Sequence, residues 1–200
     1  AQDQAEQMLK ARSLSSYYDE VALKGLQLAA ADFQRGVLTQ PQLDTIKTLT
    51  QSLVDEFEGR PDEEPADKDA KSAQETPSLA EQAHPKNEAV AGQAPDMAMR
   101  PAIWQSEAPV LCIAGRGLLD EAASSMLAQL LVKHGIGARV VPHSAVARGQ
   151  IRALDVSGVA MVCVSYLDIS GNPAHLRYLL KRLRDKMPDG KVLVGLWPTE

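Results

Sequence analysis

The chain is poor in cysteine, in aromatic residues, in positive charge and in long hydrophobic runs, and each shortage closes off a class of protein. Its two cysteines, Cys112 and Cys163, lie inside apolar runs with no Cys or His at ligand spacing beside them. No disulfide framework and no metal site is encoded there, and both read as buried thiols of a reducing compartment. Lys and Arg number 21 against 26 Asp and Glu, a formal net charge of −5, and no basic surface interleaved with aromatics is evident. Nucleic-acid binding, which needs a surplus of cations on one face, is thereby excluded. The longest apolar stretches are broken by charge or glycine within about ten residues, whereas a spanning helix takes roughly twenty, so this chain is not expected to cross a membrane itself. It opens Ala1-Gln2-Asp3-Gln4, without an initiator Met or a basic-then-apolar leader, and is read as a piece of a longer protein.

Residues 1–58 form a helical segment. After a short first helix, Ser15 or Ser16 caps a helix from about Tyr17 to Gln34, and Gly36 ends it. Tyr18, Ala22, Leu26, Ala29 and Phe33 share one face at the 3.6-residue period, with Val21, Gly25 and Leu28 widening it. Thr39-Gln40-Pro41-Gln42 is a capping box with an early Pro, opening a second helix whose stripe is Leu43, Ile46, Leu49, Leu53 and Phe57. A hairpin of two helices cannot bury both stripes alone, so it packs on the later domain, on a second copy in a homo-oligomer, or on preceding parts of a longer chain.

Residues 59–107 turn to Pro, Ala, Glu, Asp, Gln and Lys with almost no large apolar side chain until Met97. Such a stretch cannot offset its ordering entropy and is read as a flexible acidic linker, with Trp104 packing on the edge of the C-terminal domain.

Residues 108–200 alternate strand and helix. Val110 to Ala114 is a strand, and Gly115-Arg116-Gly117 turns it into a helix carrying Leu119, Ala122, Ala123, Met126, Leu127, Leu130 and Leu131. Ala138 to Pro142 is a second strand, Ala145 to Leu154 a weaker helix, and Val159 to Ser165 a third strand. Asn172 or a neighbour starts a helix with Leu176, Leu179, Leu180, Leu183 and Met187 on one face, and Lys191 to Trp197 is a fourth strand. Apolar strands separated by helices predict an α/β fold with a parallel sheet in the order 2-1-3-4, flavodoxin-like or cobalamin-binding-like, without the usual fifth strand.

Ligands of open α/β sheets bind at the carboxyl ends of the strands, where the strand order reverses. That edge carries Gly115, Arg116 and Gly117, whose free N–H groups and helix N-terminus suit a small anion. It also carries His143, Ser165 and Tyr166, and these six are the candidate ligand residues. Gly-Arg-Gly lacks the third glycine of a dinucleotide fingerprint and the Lys of a phosphate loop, and reads equally as a plain tight turn. No Gly-x-Ser-x-Gly elbow is present, and no catalytic residue or cofactor is assigned. The helix after the third strand carries Arg177, Lys181, Arg182, Arg184 and Lys186 against Asp185, a basic face suited to solvent, to anionic headgroups or to the acidic linker.

The stretches Ser15 to Leu23, Val110 to Gly117 with Leu119 to Ala123, Val162 to Asp168 and Val194 to Trp197 together resemble the cytoplasmic tail of some bacterial permeases of the autoinducer-2 exporter family. That resemblance implies membrane helices in a preceding part of the same chain and a non-enzymatic accessory or regulatory role on the cytoplasmic side of the inner membrane. The α/β half is also similar to cobalamin-binding domains. Their Asp-x-His-x-x-Gly motif is replaced here by Gly115-Arg116-Gly117-Leu118-Leu119-Asp120-Glu121, so ligation of cobalamin through that histidine is unsupported. A sensor of a small anion or nucleotide at Gly115 to Gly117 is the alternative expectation.

Overall fold

The computed structural model describes residues 8–9, 12–62, 100–168 and 173–197. Residues 63–99 of the linker and Asn172 lie outside these.

The chain enters through α1 (Leu14–Tyr17), one π-turn (Tyr18–Ala22) and α2 (Leu23–Gln34), which run on with helical dihedrals across both junctions. The cap is Ser13, a few residues earlier than expected. Its backbone is extended and its hydroxyl accepts the Ser16 N–H at 3.2 Å. Distant Asp62 adds a second cap, its carboxylate accepting the Ser15 N–H at 2.8 Å. Gly36 ends α2 at φ +73°, the left-handed conformation that glycine adopts without a Cβ clash. The Thr39 capping box then opens α3 (Gln40–Glu56) as the spacing predicts.

The hairpin finds its partner within the chain. Tyr17, Tyr18, Leu26, Ala29, Leu43, Val54 and Phe57 are buried in one cluster with Leu119, Ala122, Ala123 and Met126 of the segment leading into and along α4 (Asp120–Lys133). Each large side chain so buried contributes roughly 1.5–3 kcal/mol. Polar ties fix the arrangement: Lys47 pairs with Glu121 at 2.6 Å, Gln129 donates to the Val54 carbonyl at 2.6 Å, and Lys133 donates to the Phe57 carbonyl at 2.8 Å, beside the end of α3. The α3 stripe differs from the expected one, for Leu49 is 64 % exposed and Val54 is buried instead. Val21 and Leu28, expected to widen the α2 face, are also exposed. The buried face is narrower because the hairpin meets one helix rather than a broad surface.

The strands are β1 (Val110–Ala114), β2 (Ala138–Val141), β3 (Met161–Tyr166) and β4 (Lys191–Leu196), in the order β2-β1-β3-β4 and all parallel. This is the predicted flavodoxin-like arrangement. Helix α4 covers one face, with Leu127, Ala128 and Leu131 against Val110, Cys112 and Cys163 and with Trp104 packed at the rim. Because α4 is pressed between sheet and hairpin, it carries small residues on both sides, Ala122, Ala123, Ser124 and Ala128, all buried. The other face is covered by α5 (Ala174–Lys186) through Leu176, Leu179 and Leu183.

One further expectation changes, while the fourth strand lies at the edge as the order 2-1-3-4 predicts. The segment 145–154 is not an α-helix but two 3₁₀ turns, His143–Val146 and Ile151–Ala153. Gly149 interrupts the stretch, and burying Val146, Ile151 and Leu154 against the sheet is what orders it. Strand β4 is an edge with one covered face, since Val192 and Val194 pack inward while Leu193 is 58 % exposed.

Candidate functional site

In the order β2-β1-β3-β4 the crossovers after β1 and β3 leave to opposite faces, so their carboxyl ends part and open a crevice. A cavity of about 580 Å³ lies there, within the usual range of small-molecule sites. Its floor is Arg116 to Asp120, Tyr166, Asp168 and His175, and its roof is Ala30, Phe33 and Gln34 of α2 with Leu43 of α3. Hairpin and sheet therefore build the cavity together.

Three of the six candidate residues, Arg116, Gly117 and Tyr166, line this cavity. Gly115 and Ser165 sit beneath it, joined by a hydrogen bond in which the Gly115 N–H donates to the Ser165 carbonyl at 2.9 Å. His143 is not in the lining. It stands at the end of β2, close enough to Arg116, His175 and Arg182 to feel their charge. Burial, and then Arg116, hold its imidazole below the usual histidine value.

The residue that organises the site is Asp120, which the motif reading passed over. It is 1 % exposed, and its carboxylate accepts the Gly117 N–H at 2.8 Å and the Leu167 N–H at 2.9 Å. One side chain thus clamps the β1 turn to the β3 turn. Burial pushes its carboxyl above the usual range, with Asp168 adding to the effect, while the two backbone donors pull it back. The two glycines are explained by this clamp. A Cβ on Gly115 would lie 2.3 Å from Asp120 Oδ2 and 2.7 Å from the Ser165 carbonyl oxygen, and one on Gly117 would lie 2.9 Å from Asp120 Oδ1. The Gly-x-x-Asp spacing matches the capping-box pattern with glycine in the hydroxyl position, the one signal that could have found it.

Around the clamp, polar groups are left without partners. Tyr166 is 1 % exposed, its ring 5.6 Å from that of His175, yet its hydroxyl has no hydrogen-bond partner among the described residues. Asp168 Oδ2 and His143 Nδ1 are buried and unpartnered in the same sense. Arg116 is exposed and makes no ion pair with any described residue. Buried polar atoms are normally satisfied, so the Tyr166 hydroxyl and Asp168 Oδ2 at this cavity make it the candidate ligand site. Among the described residues no group of three or more His, Cys, Asp or Glu could hold a metal ion, and no helix is long and apolar enough to cross a membrane.

Compared with family models, with curated proteins and with solved structures, the chain finds no match.

Proposed function

We propose that this chain is a non-enzymatic regulatory domain that senses a small polar ligand in the cavity between hairpin and sheet. The observation that carries this reading is the set of unpartnered buried groups, Tyr166 hydroxyl and Asp168 Oδ2, at a cavity on the strand-order reversal. A binding role is favoured over catalysis because the buried carboxylate, Asp120, is committed to two backbone donors, and His143 stands outside the cavity. Ligand in this cavity touches α2 and α3 as well as the sheet, so occupancy would stiffen the hairpin against α4. That gives a route from binding to a partner.

The partner we propose is the membrane part of a bacterial permease, with this domain on the cytoplasmic side, as the resemblance to the autoinducer-2 exporter family implies. The charge distribution supports it: residues 139–200 hold nine Lys and Arg against five Asp and Glu, while the rest of the chain is strongly acidic. The exposed Arg177, Lys181 and Arg184 of α5 form a face suited to anionic headgroups, on the side of the sheet away from the hairpin.

The test is a thermal-shift screen of the full chain against inorganic phosphate, nucleotides, sugars and free amino acids. A true ligand at a hundred times its dissociation constant stabilises by about 2.7 kcal/mol, and the gain disappears in Tyr166→Phe and Asp168→Asn. Amide exchange in α2 and α3 slows in the same complex. If nothing in the panel stabilises the chain, the sensing role is wrong; if the reading frame ahead of Ala1 encodes no membrane helices, the permease role is wrong.

A further inference from the structure

We propose that the switch-point cavity takes a zwitterion of the α-amino-acid type with an apolar side chain; this rests on the cavity being a ligand site and narrows it to one chemistry. An anion at a strand-to-helix turn is ordinarily held by the free backbone N–H groups of the turn. Here the protein's own carboxylate already occupies the middle of the turn, since Asp120 accepts the Gly117 N–H and, from the β3 turn, the Leu167 N–H. A phosphate would have to displace a buried carboxylate and then sit beside a second acid, Asp168, in the same cavity.

The groups left over are of both signs. Arg116 offers a guanidinium without an ion pair among the described residues, and its planar fork matches a carboxylate in two parallel hydrogen bonds. Asp168 offers a buried acceptor oxygen, and Tyr166 a buried hydroxyl, neither with a partner among the described residues. A molecule with a carboxylate and an ammonium on one carbon satisfies both charges at once. A simple anion leaves Asp168 unmet, and a polyamine brings positive charge against Arg116. Phe33, Leu43 and Leu118 supply an apolar wall for the remainder of the ligand.

The experiment is calorimetric titration of the full chain with L-leucine and L-phenylalanine, with their amides, which lack the carboxylate, and with their N-acetyl derivatives, which lack the ammonium. Inorganic phosphate and adenosine monophosphate complete the set. A free amino acid is expected to bind, and each blocked form to bind about ten- to a hundredfold more weakly, the value of one charged hydrogen-bonding group. Asp168→Asn should lose the preference for the free amine, and Arg116→Gln the preference for the acid over the amide, each variant keeping the wild-type circular dichroism. Binding of phosphate or nucleotide without binding of a free amino acid overturns the zwitterion proposal and leaves the cavity as a ligand site. Blocked forms binding as tightly as the parent overturn it likewise. Silence from every compound overturns the zwitterion proposal, while the wider thermal-shift screen decides whether the cavity is a ligand site at all.

Discussion

The carboxylate of Asp120 accepts the backbone N–H of Leu167 at 2.9 Å, joining residues 47 positions apart, and with its other oxygen holds Gly117. Removing it by Asp120→Ala strands two donors at the junction of β1 and β3. The expected loss is about 2–4 kcal/mol of unfolding free energy in urea titration, with Asp120→Asn, which keeps one acceptor, losing less.

The same residue sets a pH dependence. Its folded pKa lies above the ordinary value of 3.8, so the folded state keeps the proton longer than the unfolded one. Its contribution is therefore full below about pH 4 and is lost as pH rises through the folded value. Wild type should lose stability relative to Asp120→Asn as pH rises above about 4. A stability difference that stays flat, or grows in favour of wild type over that range, contradicts the assignment.

Glycine positions separate crowding from mere presence. Gly115→Ala sets a Cβ among Asp120, Tyr166 and the Ser165 carbonyl, all under 3 Å, and should cost about 3 kcal/mol. Gly25 lies inside α2 with nothing within 4 Å of a built Cβ, so Gly25→Ala should gain about 0.5–1 kcal/mol from helix propensity alone. Thermal unfolding of the two variants, run side by side, should shift in opposite directions.

Much of this architecture was written in periodicity. The apolar runs at Val110, Val159 and Lys191, separated by helices with clear stops, dictate a parallel sheet, and Thr39 and Gly36 announce the ends of the hairpin helices. The site was legible only in its backbone part. Arg116, Gly117 and Tyr166 follow from strand ends, but the cavity's roof, Phe33 and Leu43, depends on which surface the hairpin chooses, a tertiary decision with no local signature. Asp120 hid because a first-turn acid is ordinary helix chemistry, and its second partner, Leu167, is reached only once β1 and β3 lie side by side. The 3₁₀ turns after β2 were missed for a related reason, since their order comes from burial of Val146 and Ile151 and not from helical periodicity.

Cys112 and Cys163 are register partners on β1 and β3, both buried as free thiols. Burial, with Cys163 adding to it, pushes the Cys112 thiol up to about 12, and burial raises Cys163 as well. Thiolate is the reactive form, so both should resist a disulfide reagent at pH 8 in the folded protein and react together once urea unfolds it. Fast labelling of either in native conditions would mean that the sheet opens at this pair.

The Arg116 guanidinium bears on His143 from across the β1 end, with His175 and Arg182 of α5 acting in the same sense and the Ala114 backbone opposing them. With its folded pKa held below the ordinary 6.5, His143 contributes stability that is present above that pH and is lost as pH falls through the folded value. Arg116→Gln removes a repelling cation and should raise the His143 pKa, read from its ring-proton shifts in an NMR titration. A carboxylate seated on Arg116 neutralises the same charge, so a bound amino acid should move His143 in the same direction in wild type and much less in Arg116→Gln. An unchanged titration in the variant would mean that burial alone holds the imidazole neutral and that Arg116 points away from it.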